Sequence, residues 1–145
     1  MELKPKIGID NLKFGMSQTD IISILGEPDK KQIDEDDTHG LICDYYMLKL
    51  RLTFYLNENG RLGYIRTANE GLIYDGQKIL YSQIEIAKSE IFGNIISEWL
   101  IDQYQFFSTH FNEEYWLTLN EDYGEVNGVE LGVPFKNAEE YDWPT

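Results

Sequence analysis

The sequence predicts an α+β fold built from two tandem helix-plus-antiparallel-sheet repeats. Apolar and polar residues alternate from Leu48 to Leu56, a pattern typical of a strand with one buried face. The alternation returns from Phe111 to Leu119, and a helix-start signal precedes each stretch, at Ser17 and at Ser82. A repeat of about 65 residues that keeps this order favours a duplicated unit over a solenoid.

The first repeat begins with a short lead-in strand at residues 6–12. Ser17 and Asp20 then predict a short helix, because both side chains satisfy free backbone groups at a helix start. Gly26 and Pro28 predict its end. An edge strand at 30–34, a charged loop at 34–40 and a strand from Leu41 follow, and this strand either merges with the Leu48–Leu56 strand or turns into it. Asn59-Gly60 then predicts a tight hairpin.

The second repeat carries a fuller capping box, Ser82 to Glu85, and apolar residues at helical spacing as far as Trp99. Gly93-Asn94 interrupts the spacing, which predicts two helices or one bent helix. Strand character resumes at 105–107, and 111–119 and 124–131 form the last strand pair. The predicted units are 1–69, 70–135 and an acidic tail, 136–145, which either packs back or is loose.

The net charge is −14, and residues 73–145 hold 14 acidic but only 3 basic side chains. Nucleic-acid binding needs clustered Lys and Arg, so we expect no nucleic-acid partner. A basic protein partner would match the charge. The acidity could equally serve only to keep a small protein in solution.

Cys43 is the single cysteine, so the chain forms no internal disulfide and suits a reducing compartment. No secretion leader and no stretch of membrane-spanning length are visible. We therefore expect a cytoplasmic protein without a membrane partner.

Enzyme chemistry has little support in the sequence. His39 and His110 are the only histidines, and Cys43 lies in an apolar strand typical of inert core. The acidic run Asp34–Asp37 lacks the ligand spacing of a calcium loop. We therefore expect no catalytic residue, no metal and no cofactor.

The open face of the predicted sheet is the expected partner-binding surface. An outward Trp116 would supply the aromatic anchor typical of interfaces, and acidic side chains would stand in for nucleic-acid phosphates in a basic cleft. Alternatively, the tail or the other repeat covers Trp116. The expected partner-binding residues are Tyr55, His110, Glu114, Trp116, Glu121, Asp122 and Glu125.

Residues 12–28 resemble the opening of the β-lactamase inhibitor protein-like modules, which include small outer-membrane assembly lipoproteins. The shared features are a Gly-Met-Ser start at Gly15–Ser17, a short helix and a Leu-Gly-x-Pro end at Leu25–Pro28. The second half resembles them only weakly, over 82–93. The resemblance implies a scaffold that binds another protein and performs no chemistry. The missing leader and single cysteine differ from these secreted relatives, so their contact residues are not transferred.

Size, acidity and this scaffold together suggest an immunity protein of a polymorphic toxin or contact-dependent growth inhibition system. Such a protein would neutralise a toxin with a basic surface, such as a nuclease domain, by covering its active site. The alternatives are an envelope assembly or scaffolding module, and a small-ligand binder that uses the cavity of the sheet. The oligomeric state stays open.

Overall fold

Alternating apolar residues build one large antiparallel sheet whose strands come from both halves of the chain. A computed structural model describes all residues, Met1–Thr145. The strands are β1 (Leu3–Lys4), β2 (Gly8–Ile9), β3 (Leu12–Lys13), β4 (Lys30–Ile33), β5 (Gly40–Tyr45), β6 (Leu50–Tyr55), β7 (Arg61–Thr67), β8 (Ile73–Tyr74), β9 (Gln77–Lys78), β10 (Leu100–Gln103), β11 (Ser108–Asn112), β12 (Leu117–Asp122) and β13 (Glu125–Gly132). The helical segments are α1 (Gln18–Leu25), a 3₁₀ turn (Leu56–Glu58), α2 (Ile84–Ile86) and a π-helical turn (Ala87–Ile91).

The main sheet has eight strands in the order β10-β11-β12-β13-β7-β6-β5-β4. β13 and β7 join the strands of the second half to those of the first, with Val129 opposite Thr67 and Leu131 opposite Ile65. Two small sheets, β1-β2-β3 and β8-β9, complete the structure. The predicted boundary at residues 69 and 70 falls between β7 and β8, and it stays a prediction.

The predicted fold class, two tandem helix-plus-antiparallel-sheet repeats, is wrong. The chain is mostly β, with 41% strand and 13% helix, and its strands form one continuous eight-stranded sheet. The long second helix does not exist. α2 passes into a π-helical turn in which Phe92 N–H donates to the Ala87 carbonyl at 3.0 Å, and helical structure ends at Ile91. The apolar residues from Ile95 to Trp99 pack on the core without helical structure.

The two capping signals have opposite outcomes. At Ser17 the box is confirmed: Asp20 N–H donates to the Ser17 hydroxyl, and Ser17 N–H donates to the Asp20 carboxylate, each at 3.1 Å. At Ser82 it is wrong, because the hydroxyl donates to the Ile79 carbonyl at 2.6 Å and the residue before α2, Gln83, makes no side-chain cap. The fuller capping signal, at Ser82, therefore precedes the shorter helix, since α2 has three residues and α1 has eight.

A turn divides the second long alternating stretch, and another turn precedes the first, whose strand is confirmed as β6 (Leu50–Tyr55). Residues 46–49 turn between β5 and β6, and residues 113–116 turn between β11 and β12. Lys49 and Trp116 take positive φ angles of 51° and 50° there. The predicted strand from Phe111 to Leu119 is therefore wrong, and the chain after Leu41 turns rather than merges. The predicted hairpin at Asn59-Gly60 is confirmed, since both residues have positive φ.

One face of the main sheet carries the core, and the other is covered by the C-terminal tail and Trp116 at Tyr55 and Gly132 but open around Arg51 and Arg66. Leu50, Leu52 and Phe54 of β6 are buried, whereas Arg51 between them is exposed. Their neighbours in the core include Ile65 of β7 and Leu131 of β13. Burying each such side chain contributes about 1.5–3 kcal/mol. α1 and the segment around Phe92 cover this face, so the side chains that alternate with the buried ones remain available on the other.

Candidate protein-binding surface

The predicted partner-binding residues fall into two groups at different ends of the sheet. Tyr55, Glu114 and Trp116 lie near the β11–β12 turn and the C-terminal tail. His110 lies on β11, while Glu121, Asp122 and Glu125 lie at or beside the β12–β13 turn. The structure therefore does not bring them together as one site, and each group has its own environment.

The C-terminal tail (residues 134–145) covers Tyr55 and Trp116 of the first group. Trp116 packs edge-on against Phe111 and Phe135, with ring centres 5.0 and 5.1 Å apart. Phe135 and Tyr141 stack on each other, and Tyr141 reaches Tyr55 at 5.4 Å. A Cβ atom on Gly132 would collide with the Trp116 ring, so the ring lies directly on the sheet backbone. The tail packs back, and Trp116 is half-buried inside the protein.

The remaining residues of the first group follow from this packing. Burial raises the pKa of the Tyr55 phenol, which therefore stays protonated. Glu114 is exposed in the β11–β12 turn, and its carboxylate lies 3.8 Å from the Lys6 ammonium. An exposed pair of this kind contributes little to stability.

His110 belongs to a buried polar cluster. Its Nδ1 lies 3.1 Å from the Lys88 ammonium, which can only donate, so the imidazole carries its proton on Nε2. Nε2–H donates to the Glu121 carboxylate at 2.9 Å, and the Ser108 hydroxyl donates to the same oxygen at 2.7 Å. These hydrogen bonds, first from Ser108 and then from His110, lower the pKa of Glu121.

The cluster contains a hydroxyl, an imidazole and a carboxylate, but it is not arranged for nucleophilic catalysis. A catalytic triad places the carboxylate on one imidazole nitrogen and the hydroxyl on the other. Here Ser108 and Glu121 share Nε2, and Lys88 occupies Nδ1. Ser108 and His110 are only 2% and 3% exposed, so no substrate can reach them. The cluster stabilises the fold between the π-helical turn and β11–β12.

An exposed apolar surface surrounds the hairpin that joins β10 and β11, and the sequence prediction missed it. Phe106 at the tip of the hairpin is 78% exposed, and Tyr123 at the neighbouring β12–β13 turn is 97% exposed. Tyr104 and Phe107 stack on each other at 4.7 Å. Leu100, Ile101, Tyr104, Phe106, Phe107 and Tyr123 are here called the hairpin patch, and all are exposed. Leu100 and Ile101 lie on opposite faces of β10, whereas the aromatic side chains are grouped near the hairpin tip. Exposed apolar groups of this kind are typical of interaction sites.

The backbone of β10 adds a second binding feature, because this strand forms a free edge of the main sheet. Tyr104 N–H donates to the Phe107 carbonyl at 2.8 Å. In an antiparallel ladder, paired residues alternate with residues whose backbone groups point away. Along the register with β11, Ile101 and Gln103 therefore direct their N–H and C=O groups to the free side. The strand can accept another strand there.

The two edge strands of the main sheet, β4 and β10, differ in how well they are protected against pairing with another chain. The edge strand β4 carries Lys30 and Lys31, both exposed, and lysine on an edge strand opposes pairing with other chains. β10 has no lysine and offers Leu100 and Ile101 instead. This contrast singles out β10 as the edge that can be paired.

The charge around the hairpin patch has one sign. Residues 89–135 contain no Lys or Arg, and they hold nine Asp and Glu residues. Asp102 on β10 and the exposed Glu125, beside Asp122, border the patch, so two of the predicted carboxylates lie at its margin. A surface with aromatic side chains in the middle and carboxylates around them is suited to a basic protein.

The acidic side chains of the structure are dispersed, and its helical segments are short. No group of three or more His, Cys, Asp or Glu residues lies close enough together to hold a metal ion. In the run from Asp34 to Asp37, Asp34 and Asp37 instead accept hydrogen bonds from nearby backbone N–H groups. None of the helical segments has the length and apolarity that a bilayer crossing requires.

Sequence signals for the hairpin patch are weak. Gln105-Phe106-Phe107 predicts strand, and this prediction is wrong, because the three residues lie in the loop between β10 and β11. The stretch without basic residues, 89–135, is visible in the sequence, but the sequence does not show which of its side chains stay exposed. Position in the sheet, which depends on distant strands, decides which apolar residues stay exposed.

Comparisons with known proteins support the fold alone. No protein-family model matches the chain, and no curated protein matches it. An extracellular protein containing an SCP domain from Bacillus anthracis str. Ames is similar in structure, with a TM-score of 0.54 and 13% identity over 91% of this chain. This chain covers 49% of that protein's length.

A DUF4309 family protein (YjgB) from Bacillus subtilis subsp. subtilis str. 168 is also similar, with a TM-score of 0.51 and 13% identity. The match covers 86% of this chain and 83% of that one. Neither structure is clearly of the β-lactamase inhibitor protein-like kind, and that resemblance stays a prediction. What both comparisons show is a shared chain fold at low sequence identity.

Proposed function

We propose that this protein is an immunity protein, which binds a cognate bacterial toxin of basic surface and neutralises it without catalysis. The observation that carries the proposal is the hairpin patch beside the free edge of β10, within a stretch that has no basic residue. Exposed aromatic side chains are costly for a protein that works alone, and they provide most of the binding energy at protein interfaces.

The partner is a protein because both features of the surface recognise polypeptide. Free N–H and C=O groups of Ile101 and Gln103 match the backbone of an added strand. Phe106 and Tyr123 offer flat apolar area at low cost in side-chain entropy. The carboxylates of Asp102, Asp122 and Glu125 match a basic cleft such as that of a nuclease, and they would oppose an acidic partner.

Inhibition by covering an active site requires no chemistry from this chain. The buried hydroxyl, imidazole and carboxylate cluster lies under the sheet and is closed to substrate. A stoichiometric inhibitor needs only a surface that is complementary in shape and charge to the surface of its target. Neutralisation would follow because the β10–β11 hairpin would cover the active site of the toxin and exclude its substrate.

The proposed place of action is the cytoplasm. Cys43 is a buried free thiol, and burial raises its pKa, so it stays in the unreactive thiol form. A chain without disulfides is suited to a reducing compartment. Cell fractionation tests this, and an envelope location would contradict it.

The experiment uses the product of the neighbouring reading frame, which the proposal predicts to be a toxin domain with its own catalytic activity. We expect a one-to-one complex and loss of toxin activity at equal concentrations. If this neighbouring toxin neither binds nor loses activity, the proposed function is wrong.

The site is tested separately by Phe106→Ser and Asp102→Lys. We expect each to weaken binding about tenfold or more, since interface aromatics and matched charges each contribute about 2 kcal/mol. Met47→Ser is the matched control, because Met47 is a 96% exposed apolar residue in the β5–β6 turn, outside the patch. Equal affinity of all variants would contradict the site while leaving the function in place.

Pairing at the edge has a test of its own. Gln103→Pro removes an outward N–H group and places a ring against an incoming strand, yet breaks no bond within the sheet. We expect an unchanged melting temperature and a lower affinity for the toxin. Unchanged affinity would show that the toxin contacts side chains only.

A second candidate is the envelope assembly module, and one observation favours it. One of the two similar structures is an extracellular protein, so this fold also occurs outside the cell. This function predicts that the protein fractionates with the envelope and that the neighbouring toxin is not inhibited. The two assays together separate the candidates.

A further inference from the structure

The open face of the main sheet carries a row of side chains that crosses all eight strands. Arg51 on β6 lies directly opposite Arg66 on β7, and Arg66 lies opposite Glu130 on β13. Read from β4 to β10 through the register, the row is Lys30, Asp44, Arg51, Arg66, Glu130, Thr118, Phe111 and Leu100. Its centre places two guanidinium groups side by side, and like charges in that position repel each other.

Only one of the two guanidinium groups is neutralised within the protein. Arg51 donates to both oxygens of the buried Asp44 carboxylate, at 2.7 and 3.2 Å. The Glu130 carboxylate, although opposite Arg66, accepts from the Tyr64 hydroxyl and from the Asn120 amide at 2.9 Å instead. Arg66 is exposed and forms neither an ion pair nor a side-chain hydrogen bond.

Arg66 lines a groove on this face of the sheet, and a second free cation, Lys49, lines it too. Lys49, held at a φ of 51° in the β5–β6 turn, is exposed and has no ion pair. The groove has a volume of about 580 Å³, and it is also lined by Asn120, Asn127 and the Asp44 carboxylate, which Arg51 neutralises. The Asn120 amide donates one N–H to Glu130 and keeps its second N–H. The groove therefore offers two unneutralised cations and amide donors in a protein whose net charge is −14.

We propose that this groove binds a small anionic molecule through a carboxylate or phosphate group, with Arg66 as the main anchor. Two oxygens of either group match the parallel N–H groups of a guanidinium. Lys49 supplies the second charge, and the asparagine amides donate to the remaining oxygens. Binding also removes the repulsion between Arg51 and Arg66, since an anion between them attracts both. The groove includes residues of β5, β6, β7, β12 and β13, and none of the residues that line it belongs to the hairpin patch. The anion site and the proposed toxin surface therefore use different side chains.

The test is calorimetric titration of the protein with citrate and, separately, with inorganic phosphate at low ionic strength. We expect saturable binding of at least one of them, and the one that binds identifies the anionic group. Arg66→Gln should weaken that binding about tenfold or more, because a charge-assisted bidentate contact is lost. Lys78→Gln is the matched control: it removes one positive charge from an exposed site on β9, and it should change the dissociation constant less than about twofold.

The melting temperature of Arg66→Gln tests whether weaker binding comes from a folding defect. Arg66 is exposed and unpaired, so Arg66→Gln should melt at the same temperature as the unaltered protein or slightly above it, as repulsion is relieved. Binding of neither anion would overturn the proposal. Equal weakening by Arg66→Gln and Lys78→Gln would also overturn it, since only the overall charge would then matter.

Discussion

At the scale of single residues, the cluster around His110 shows how hydrogen bonds stabilise the Glu121 carboxylate on the core side of the sheet. Glu121 accepts from both Ser108 and His110, and Lys88 holds the imidazole from the other side. Each donor has a partner, and no buried side-chain polar atom of the protein is left without one. A satisfied cluster fixes the position of β11 and β12 relative to the π-helical turn, because breaking any contact leaves a buried polar group unpaired.

The lowered pKa of Glu121 makes stability depend on pH in a defined direction. Because the folded pKa lies below the ordinary value of 4.5, ionised Glu121 stabilises the fold above that value. This contribution is lost as the pH falls through the folded pKa. We therefore expect Glu121→Gln to lower the free energy of unfolding at pH 7 and to differ less from the unaltered protein near pH 3, as measured by urea denaturation.

The control for this prediction is Glu125→Gln, an exposed carboxylate without a side-chain hydrogen bond. It should shift the free energy of unfolding by less than about 0.5 kcal/mol at either pH. A Glu121→Gln penalty that stays the same at both pH values would contradict the assigned role.

At the scale of elements, the two serine caps give a direct comparison. Ser17→Ala removes a side-chain acceptor from the start of α1, and we expect it to lower the free energy of unfolding by about 1 kcal/mol. Ser17→Asp should restore most of that loss, since aspartate also caps helices. Chemical denaturation measures both, and failure of the aspartate to restore stability would contradict capping as the cause.

The C-terminal tail is the element that turns predicted binding residues into internal ones. Trp143 packs against Tyr55 and Tyr141, and the Arg61 guanidinium lies 4.1 Å from its ring centre. We expect Trp143→Ala to lower the free energy of unfolding by about 1–3 kcal/mol, through lost aromatic and cation–π contacts. Phe106→Ala should change it by less than about 0.5 kcal/mol, because Phe106 is exposed. Similar losses for the two variants would contradict the division between internal and binding aromatics.

Several elements could be predicted from the sequence, since local chemistry determines them. The capped helix α1, the edge strand at Lys30–Ile33 and the Asn59-Gly60 hairpin depend on residues within a few positions of each other. The turns at Lys49 and Trp116 could not, because ordinary side chains take the positive φ angles there. A turn of this kind leaves the alternation of apolar residues intact on both sides, so two strands look like one.

The second half shows where periodicity misleads. Ile84, Ala87 and Ile91 are buried at helical spacing, as predicted, but the helix ends after the π-helical turn. A Cβ atom on Gly93 would collide with the Ser89 carbonyl, so the chain folds tightly back on itself at this glycine. The ends of the two alternating stretches also differ, since Leu56 starts a 3₁₀ turn and is exposed while Leu119 is buried in β12. Residues such as Ile95, Ile96 and Trp99 contribute to the core whichever secondary structure they adopt.

For the molecule as a whole, the distribution of charge matters more than its total. A basic toxin would approach the acidic half, so association should be fast at low salt and slower as salt screens the attraction. We expect the association rate constant to fall about tenfold between 50 mM and 500 mM NaCl, with a smaller change in dissociation rate. Stopped-flow fluorescence measures both rates. An association rate that does not respond to salt would contradict charge complementarity as the basis of recognition.

The absence of lysine and arginine between Lys88 and Lys136 also has a practical consequence. Trypsin has no cleavage site there, so digestion releases β10 to β13 on a single long peptide, whether or not a partner protects it. Amine-reactive cross-linkers cannot label this region either. Footprints of a bound protein on it have to be mapped with acid-cleaving proteases or carboxylate-directed reagents, for which Asp102, Asp122 and Glu125 provide the sites.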